Sequence, residues 1–193
     1  MEQIYIADKS FNGIDFHSDP LLPGEYEYCR FLNCDFSDID LSGYKFIDCE
    51  FSGCNLSLAK LHDTAFRDAK FVDCKMAGLR FEDCNQFGLS FCFDKCILDQ
   101  SSFYRLKIEK TWFRNAKLRE ADFTGCDLSE SIFDNCDLAG AIFDNTVIEK
   151  ADFRTSYNYS IDPETNRIRK AKFSIHGLPG LLERHDIIID YTK

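Results

Sequence analysis

Large apolar residues recur at every fifth position along most of this chain. From Tyr26 the series runs through Phe31, Phe36, Leu41, Phe46, Phe51, Leu56, Leu61, Phe66, Phe71, Met76 and Phe81 without a gap. Gln86 interrupts it, and Phe91 rejoins the frame. A second series, two residues out of step, starts at Leu98. It continues through Phe103, Ile108, Phe113, Leu118, Phe123, Leu128, Phe133, Leu138, Phe143, Ile148 and Phe153. Two positions before most centres stands a small residue, as in Cys34, Cys54, Ala69, Ser101, Ala121 and Ser131. The position just before the centre is often Asp or Asn, as in Asp35, Asp40, Asn55, Asp122, Asp127, Asp137 and Asp152.

Neither ordinary period accommodates this pattern. An α-helix sets residues five apart about 140° out of phase, so no continuous apolar face forms. A flat strand alternates with period two, and five is odd. Five residues can instead form one side of a squared coil, with the large and small residues both inside. Four sides make a coil of about 20 residues, and coils stack at the strand spacing of about 4.8 Å. The recurrence of like residues one coil apart supports four sides. It predicts one ladder of Phe31, Phe51, Phe71 and Phe91, and a second of Phe113, Phe133, Phe153 and Phe173. Phe103, Phe123 and Phe143 make a third, and Leu98, Leu118 and Leu138 a fourth. Gly43, Gly53, Gly78, Gly125 and Gly140 lie two after a centre, where a corner is expected. The four prolines, Pro20, Pro23, Pro163 and Pro179, fall outside the regular coils.

Runs such as Ala121-Asp122-Phe123-Thr124-Gly125 and Cys126-Asp127-Leu128-Ser129-Glu130 resemble the repeat of the pentapeptide-repeat proteins. The resemblance covers roughly residues 26–153. It implies an all-β fold, a right-handed quadrilateral parallel β-helix with a filled interior. Residues 1–25 are expected to form an N-terminal cap or a distorted first coil, since Phe11, Phe16 and Leu21 keep the frame. Residues 26–95 form a first stack that ends in the register slip at 84–95, and 96–155 a second. Residues 156–193 form an irregular last coil and a C-terminal cap, with a short helix at 177–185 and a short strand at 187–191. Within that cap, Leu178, Leu181, Leu182, Ile187, Ile188 and Ile189 either close the last coil or form a two-fold homodimer contact, which some family members use. The slip reads as a bulge or short loop at one corner, with a contact role as the alternative.

Composition narrows the function. The chain has 193 residues, and 33 acids against 23 bases leave a net charge of −10. That balance argues against direct binding of nucleic acid or an anionic membrane, both of which need a basic footprint. No apolar run approaches the roughly 18 residues of a membrane span, and the first residues carry no secretory pattern, so a cytoplasmic protein is expected. Nine of the ten cysteines lie two before a centre and read as small inward hydrophobes. Cys92 is the one plausible exposed thiol. No C-x₂-C spacing occurs, no histidine sits among the cysteines, and no nucleophile motif or phosphate loop can be placed. No catalytic, cofactor or metal residue is therefore assigned, and the chain reads as a non-enzyme. Trp112, Tyr157 and Tyr159 read as surface or cap packing.

Charge is the feature left. Glu120, Asp122, Asp127, Glu130, Asp134, Asp137, Asp144, Glu149 and Asp152 face only Lys150 within their stretch. Just upstream, Arg105, Lys107, Lys110, Arg114, Lys117 and Arg119 stand against Glu109 alone. Two functions follow. One is a rigid scaffold that presents a side or an end to a protein partner. The other is implied by the family, whose quinolone-resistance members bind DNA gyrase or topoisomerase IV in place of DNA. In that case the nine acids form the partner surface. Asp122, Asp127, Asp137 and Asp152 also belong to the repeat motif itself. A continuous negative stripe along one side favours mimicry, and a patchwork favours the scaffold.

Overall fold

Each five-residue unit forms one side of a right-handed quadrilateral parallel β-helix in the computed structural model, which describes residues 4–190. The turn between sides falls two residues after most centres, where the backbone is left-handed. Gly53 takes φ +65°, and Asp48, Asn115 and Asn135 take φ of 51°, 51° and 53°. Asp and Asn tolerate that region best among residues with a side chain, which is why glycine need not hold every corner. The acid before the centre also serves the backbone. Asp35, Asp122 and Asp127 each accept the N–H two residues on, at 2.9, 2.8 and 3.0 Å.

The small position has a polar task. Thr64 Oγ1 and Ser156 Oγ donate to the carbonyls of Leu41 and Phe133, both at 2.7 Å. Cys54, Cys74 and Cys136 make the same bond through Sγ, to Phe31, Phe51 and Phe113, at 3.2 to 3.3 Å. A thiol is a weak donor that costs little to bury, so cysteine interchanges with serine and threonine at these sites. Burial pushes the thiols of Cys49 and Cys136 up to about 12.

The four sides carry distinct ladders. The first side holds Tyr26, Phe46 and Phe66 under a four-stranded parallel sheet of Ile4–Ala7, Gly24–Glu27, Lys45–Ile47 and Ala65–Arg67. The second side is a seven-stranded sheet from Ser10–Asn12 to Ile132–Asp134. Beneath it runs one column of Phe11, Phe31, Phe51, Phe71, Phe93, Phe113, Phe133, Phe153 and Phe173, with ring centroids 4.5 to 5.5 Å apart. The third holds Phe16, Phe36, Leu56, Met76, Leu98, Leu118 and Leu138. The fourth holds Leu41, Leu61, Phe81, Phe103, Phe123 and Phe143.

This corrects the expected ladders. Phe93, not Phe91, pairs with Phe71, and the two columns expected on either side of the slip are one. Ring stacking and strand pairing both resist interruption, so the two extra residues are looped out before Phe91 and the column continues. At the N-terminal end, Ile4–Ala7 pairs with Gly24–Glu27 and Ser10–Asn12 with Arg30–Leu32, so residues 4–25 already make a coil. Met1–Gln3 of the expected cap lie outside the described residues.

The C-terminal cap has its short helical segment, expected at 177–185, as two 3₁₀ helices, Ile175–Leu181 and Glu183–His185, but not its strand. Pro179 denies an α-helix one of its donors, and Ser174 Oγ accepts the Gly177 N–H at 3.1 Å. Gly180 lies so close over Tyr159 that an added Cβ would collide with its backbone. Ile187–Ile189 form no strand. The left-handed turn at Asp186 (φ 48°) precedes this run, and among the described residues no backbone bond pairs it to the last coil. Tyr191, at the end of the expected strand, lies outside the described residues.

Two outcomes test this packing. Phe113 stacks on Phe93 and Phe133 and meets Phe103 and Phe123 edge-on. Phe113→Ala should cost about 3–5 kcal/mol in urea unfolding, and Phe173→Ala, at the half-buried end of the column, clearly less. Titration with a thiol reagent at pH 8 should find Cys92 reacting in the folded protein and the other nine only on unfolding. Cys92→Ser should remove the early phase.

Candidate functional site

The coil puts residues about 20 apart next to each other and residues five apart on different sides. That geometry scatters the acidic stretch. Asp134 and Asp152 lie on the second side, Glu120 and Asp137 on the third, and Asp122 and Asp144 on the fourth. Asp127, Glu130 and Glu149 lie on the first. Several have bases one coil away. Lys150 donates to Glu130 at 2.6 Å and Arg167 to Glu149 at 2.6 Å, while Arg114 lies 4.0 Å from Asp134. Asp152 is held by Arg154 at 2.7 Å, with Lys172 at 3.7 Å. The hydrogen bond from Lys150 holds the Glu130 carboxyl below the usual range, and that from Arg154 does the same for Asp152. Asp122, Asp127 and Asp137 spend an oxygen on the backbone N–H two residues on. The acids make a patchwork and no stripe.

The cap residues divide. Leu181 packs against the core and Ile189 is half-buried, whereas Leu178, Leu182 and Ile187 are exposed and Ile188 is 99% exposed.

Apolar surface gathers elsewhere, at the slip. Cys92, Trp112 and Ile132 lie side by side on successive rungs of the second side. Trp112 is 49% exposed, and the Arg114 guanidinium sits 5.6 Å from its ring. Arg114 in turn lies 4.0 Å from both Asp94 and Asp134, so a charged row runs beside the apolar one. Phe87, at the crest of the slip loop, is 78% exposed, with the Arg67 guanidinium 5.2 Å from its ring. Exposed aromatics backed by arginine are frequent anchors of protein interfaces. Trp112 reads from the sequence as surface or cap packing, standing just before the centre Phe113 where Asp or Asn is usual, whereas Phe87 lies in the break at Gln86 and escapes the repeat pattern.

Between these aromatics lies a groove of about 480 Å³, lined by Asp68, Ala69 and Lys70, by Leu89–Cys92 and by Lys107–Thr111. The loop beside it is well ordered by its own bonds. Phe87 N–H donates to Asn85 Oδ1 at 3.0 Å, and Gly88 turns at φ 68°. No group of three or more His, Cys, Asp or Glu side chains among the described residues is placed to hold a metal. No helix is long and apolar enough to cross a membrane.

Known proteins fit this architecture. The profile described as a pentapeptide repeat region matches residues 25–91 and 80–153. Full-length QnrB1, a plasmid-mediated fluoroquinolone resistance protein of solved structure, is 22% identical; the match covers 95% of this chain and 100% of that one, with a TM-score of 0.52. HetL, a pentapeptide repeat protein involved in heterocyst differentiation regulation in the cyanobacterium Nostoc sp. strain PCC 7120, is 12% identical. That match covers 86% of each chain, with a TM-score of 0.48. No curated protein sequence matches significantly. The likeness to QnrB1 is one of fold. The repeat profile spans residues 25–153 and the four-sided ladders run through the same segment, and on that ground this chain belongs to the pentapeptide-repeat family.

Proposed function

We propose that the chain is a non-catalytic rod that holds a rigid side of its β-helix against a protein partner. The observation that carries this reading is the row of exposed Trp112 between half-buried Cys92 and Ile132, beside exposed Phe87, set on a seven-stranded sheet whose other face is the phenylalanine column. A sheet packed on that column cannot flex, so the row is presented without an ordering cost. Proteins of this family generally act as structural or interaction scaffolds. The buried thiols suit a reducing compartment, which agrees with a cytoplasmic protein.

Topoisomerase mimicry is the second reading, raised by the shared fold with QnrB1. The dispersal of the nine acids over four sides weighs against it. A gyrase supercoiling assay at low and moderate salt, with and without a fluoroquinolone, should show no change at micromolar protein. Inhibition or drug protection that fades with salt would move the assignment to mimicry. The scaffold reading is tested by photo-crosslinking from position 112 in the cells that make the protein. A discrete protein adduct is expected there, and none from position 28 on the first side.

The exposed cap suits self-association through Leu178, Leu182, Ile187, Ile188 and Ile189, with Leu181 acting from beneath. Sedimentation equilibrium should show a dimer that Ile188→Asp dissociates, and a monomer in both samples would remove this contact.

A further inference from the structure

At the slip the β-helix loses its pairing on one side, and just before it the fourth side has no bridge between Lys60 and Arg80 among the described residues. Across the slip, the second side keeps its pairing through Phe71 and Phe93, the third through Lys75 and Ile97, and the fourth through Arg80 and Ser102. The first side does not. Its sheet ends at Ala65–Arg67, and pairing resumes only between Lys107 and Asp127. The rung that belongs between them begins at Asn85, whose N–H donates to Thr64 O at 3.0 Å. It ends at Ser90, whose N–H donates to Phe66 O at 3.0 Å. Gln86–Leu89 arch outward between these points, with Gln86 and Phe87 exposed.

The arch leaves an open strand edge. One coil further on, Asp127 N–H donates to Leu106 O at 2.8 Å, and Asp127 O accepts the Ile108 N–H at 2.9 Å. Ser129 O accepts the Lys110 N–H at 2.9 Å. The equivalent groups of the preceding rung are Lys107 N–H, Lys107 C=O and Glu109 C=O, and they have no hydrogen-bond partner among the described residues. An unpaired row of this kind is a template for another strand, and β-solenoids normally cover it. Here it forms one wall of the groove.

The groove also selects what enters. Its apolar lining comes from Leu89, Phe91 and Ile108. Of its five charged side chains, Lys107 and Glu109 satisfy each other at 3.0 Å, and Asp68 accepts from Ser90 Oγ at 3.1 Å. Lys70 and Lys110 have no carboxylate within ion-pair distance among the described residues. With three lysines against Asp68 and Glu109, the lining carries a net charge of +1 in a protein of net charge −10.

We propose that this groove binds an extended acidic segment of a partner protein, which adds as a strand to the free edge of Lys107–Glu109. Side chains of the segment alternate. One set turns toward Leu89, Phe91 and Ile108, and the acidic set faces Lys70 and Lys110. The segment needs about five residues, or roughly 17 Å of strand. This site deepens the reading of the chain as a protein-binding rod, and rests on it.

Trp112 is the single tryptophan and follows Thr111 of the groove wall, so its fluorescence reports occupancy. The probe is the blocked pentapeptide acetyl-Val-Asp-Val-Asp-Val-amide. It should give a saturable change in Trp112 emission below about 1 mM. The same peptide N-methylated at the valine nitrogens, or with lysine in place of aspartate, should bind at least tenfold more weakly. Lys107→Pro removes an N–H that the fold does not use, so it should leave the melting temperature unchanged and weaken the peptide at least tenfold. The double variant Lys70→Glu, Lys110→Glu, which leaves the backbone alone, should do the same. Absence of saturable binding overturns the proposal, as does equal binding by the N-methylated or lysine peptide. A discrete crosslink from position 112 in cells, with no peptide binding here, would keep the rod and discard this groove.

Discussion

The whole structure depends on keeping one stacked column of rings in register. Phenylalanine rings one coil apart lie 4.5 to 5.5 Å centre to centre in the second-side column, close to the spacing of paired strands. Backbone pairing and ring stacking therefore ask for the same rise per coil, and each reinforces the other. The three remaining interior columns, together with small residues at the corners, fill what the rings leave. Such an interior has no room for a substrate. Any chemistry or recognition must sit on the outside, and any length that does not fit the coil must be expelled there.

The slip at residues 84–95 shows that expulsion at work. Two surplus residues could have been shared among the sides, at the cost of every ladder crossing the coil. Three sides are kept instead, as the stacking of Phe71 on Phe93 and of Phe81 on Phe103 shows. The first side takes the looped-out residues, and the interior slot of its missing centre needs a substitute. Phe91 supplies it. It occupies a corner position that elsewhere holds a small residue, and its ring meets Phe81, Phe93 and Phe103. The core is thus repaired from a neighbouring position while the strand edge outside stays open. The intact core and the unpaired rung of Lys107–Glu109 have a single cause.

Much of this was legible in the sequence because the repeat states the side-chain direction at every residue. The small position identified nine cysteines as interior, and they are buried. Phe91 and Phe93 mark where that legibility ends. Phe91 continues the first frame and Phe93 anticipates the second, so period alone gives each an equal claim to the column. Only the pairing of Lys70 with Cys92 decides between them. Ile187–Ile189 read as a strand by composition, yet a strand also needs an edge to pair with, and propensity cannot supply one. Phe87 was out of reach because it falls in the break, and Trp112 reads only as surface or cap packing because the repeat constrains what points inward and says little about what points out.

Charge misleads most when counted along the chain. The basic stretch before Arg119 and the acidic stretch after it look like two poles of a rod. In space they lie on adjoining coils and interleave. Arg119 reaches back to Asp99, Lys150 to Glu130, and Arg114 stands between Asp94 and Asp134. Exposed pairs of this kind add little stability, roughly 0–1 kcal/mol each, but they flatten the field that a partner meets. What distinguishes one region of such a surface is therefore whatever the neighbouring coil does not neutralise or cover. On this molecule that condition is met where the ladder breaks. There, among the described residues, Lys70 and Lys110 make no ion pair, two aromatics are exposed, and a rung lacks its neighbour. A rod paired along most of its length is specific at the point where its own repeat fails.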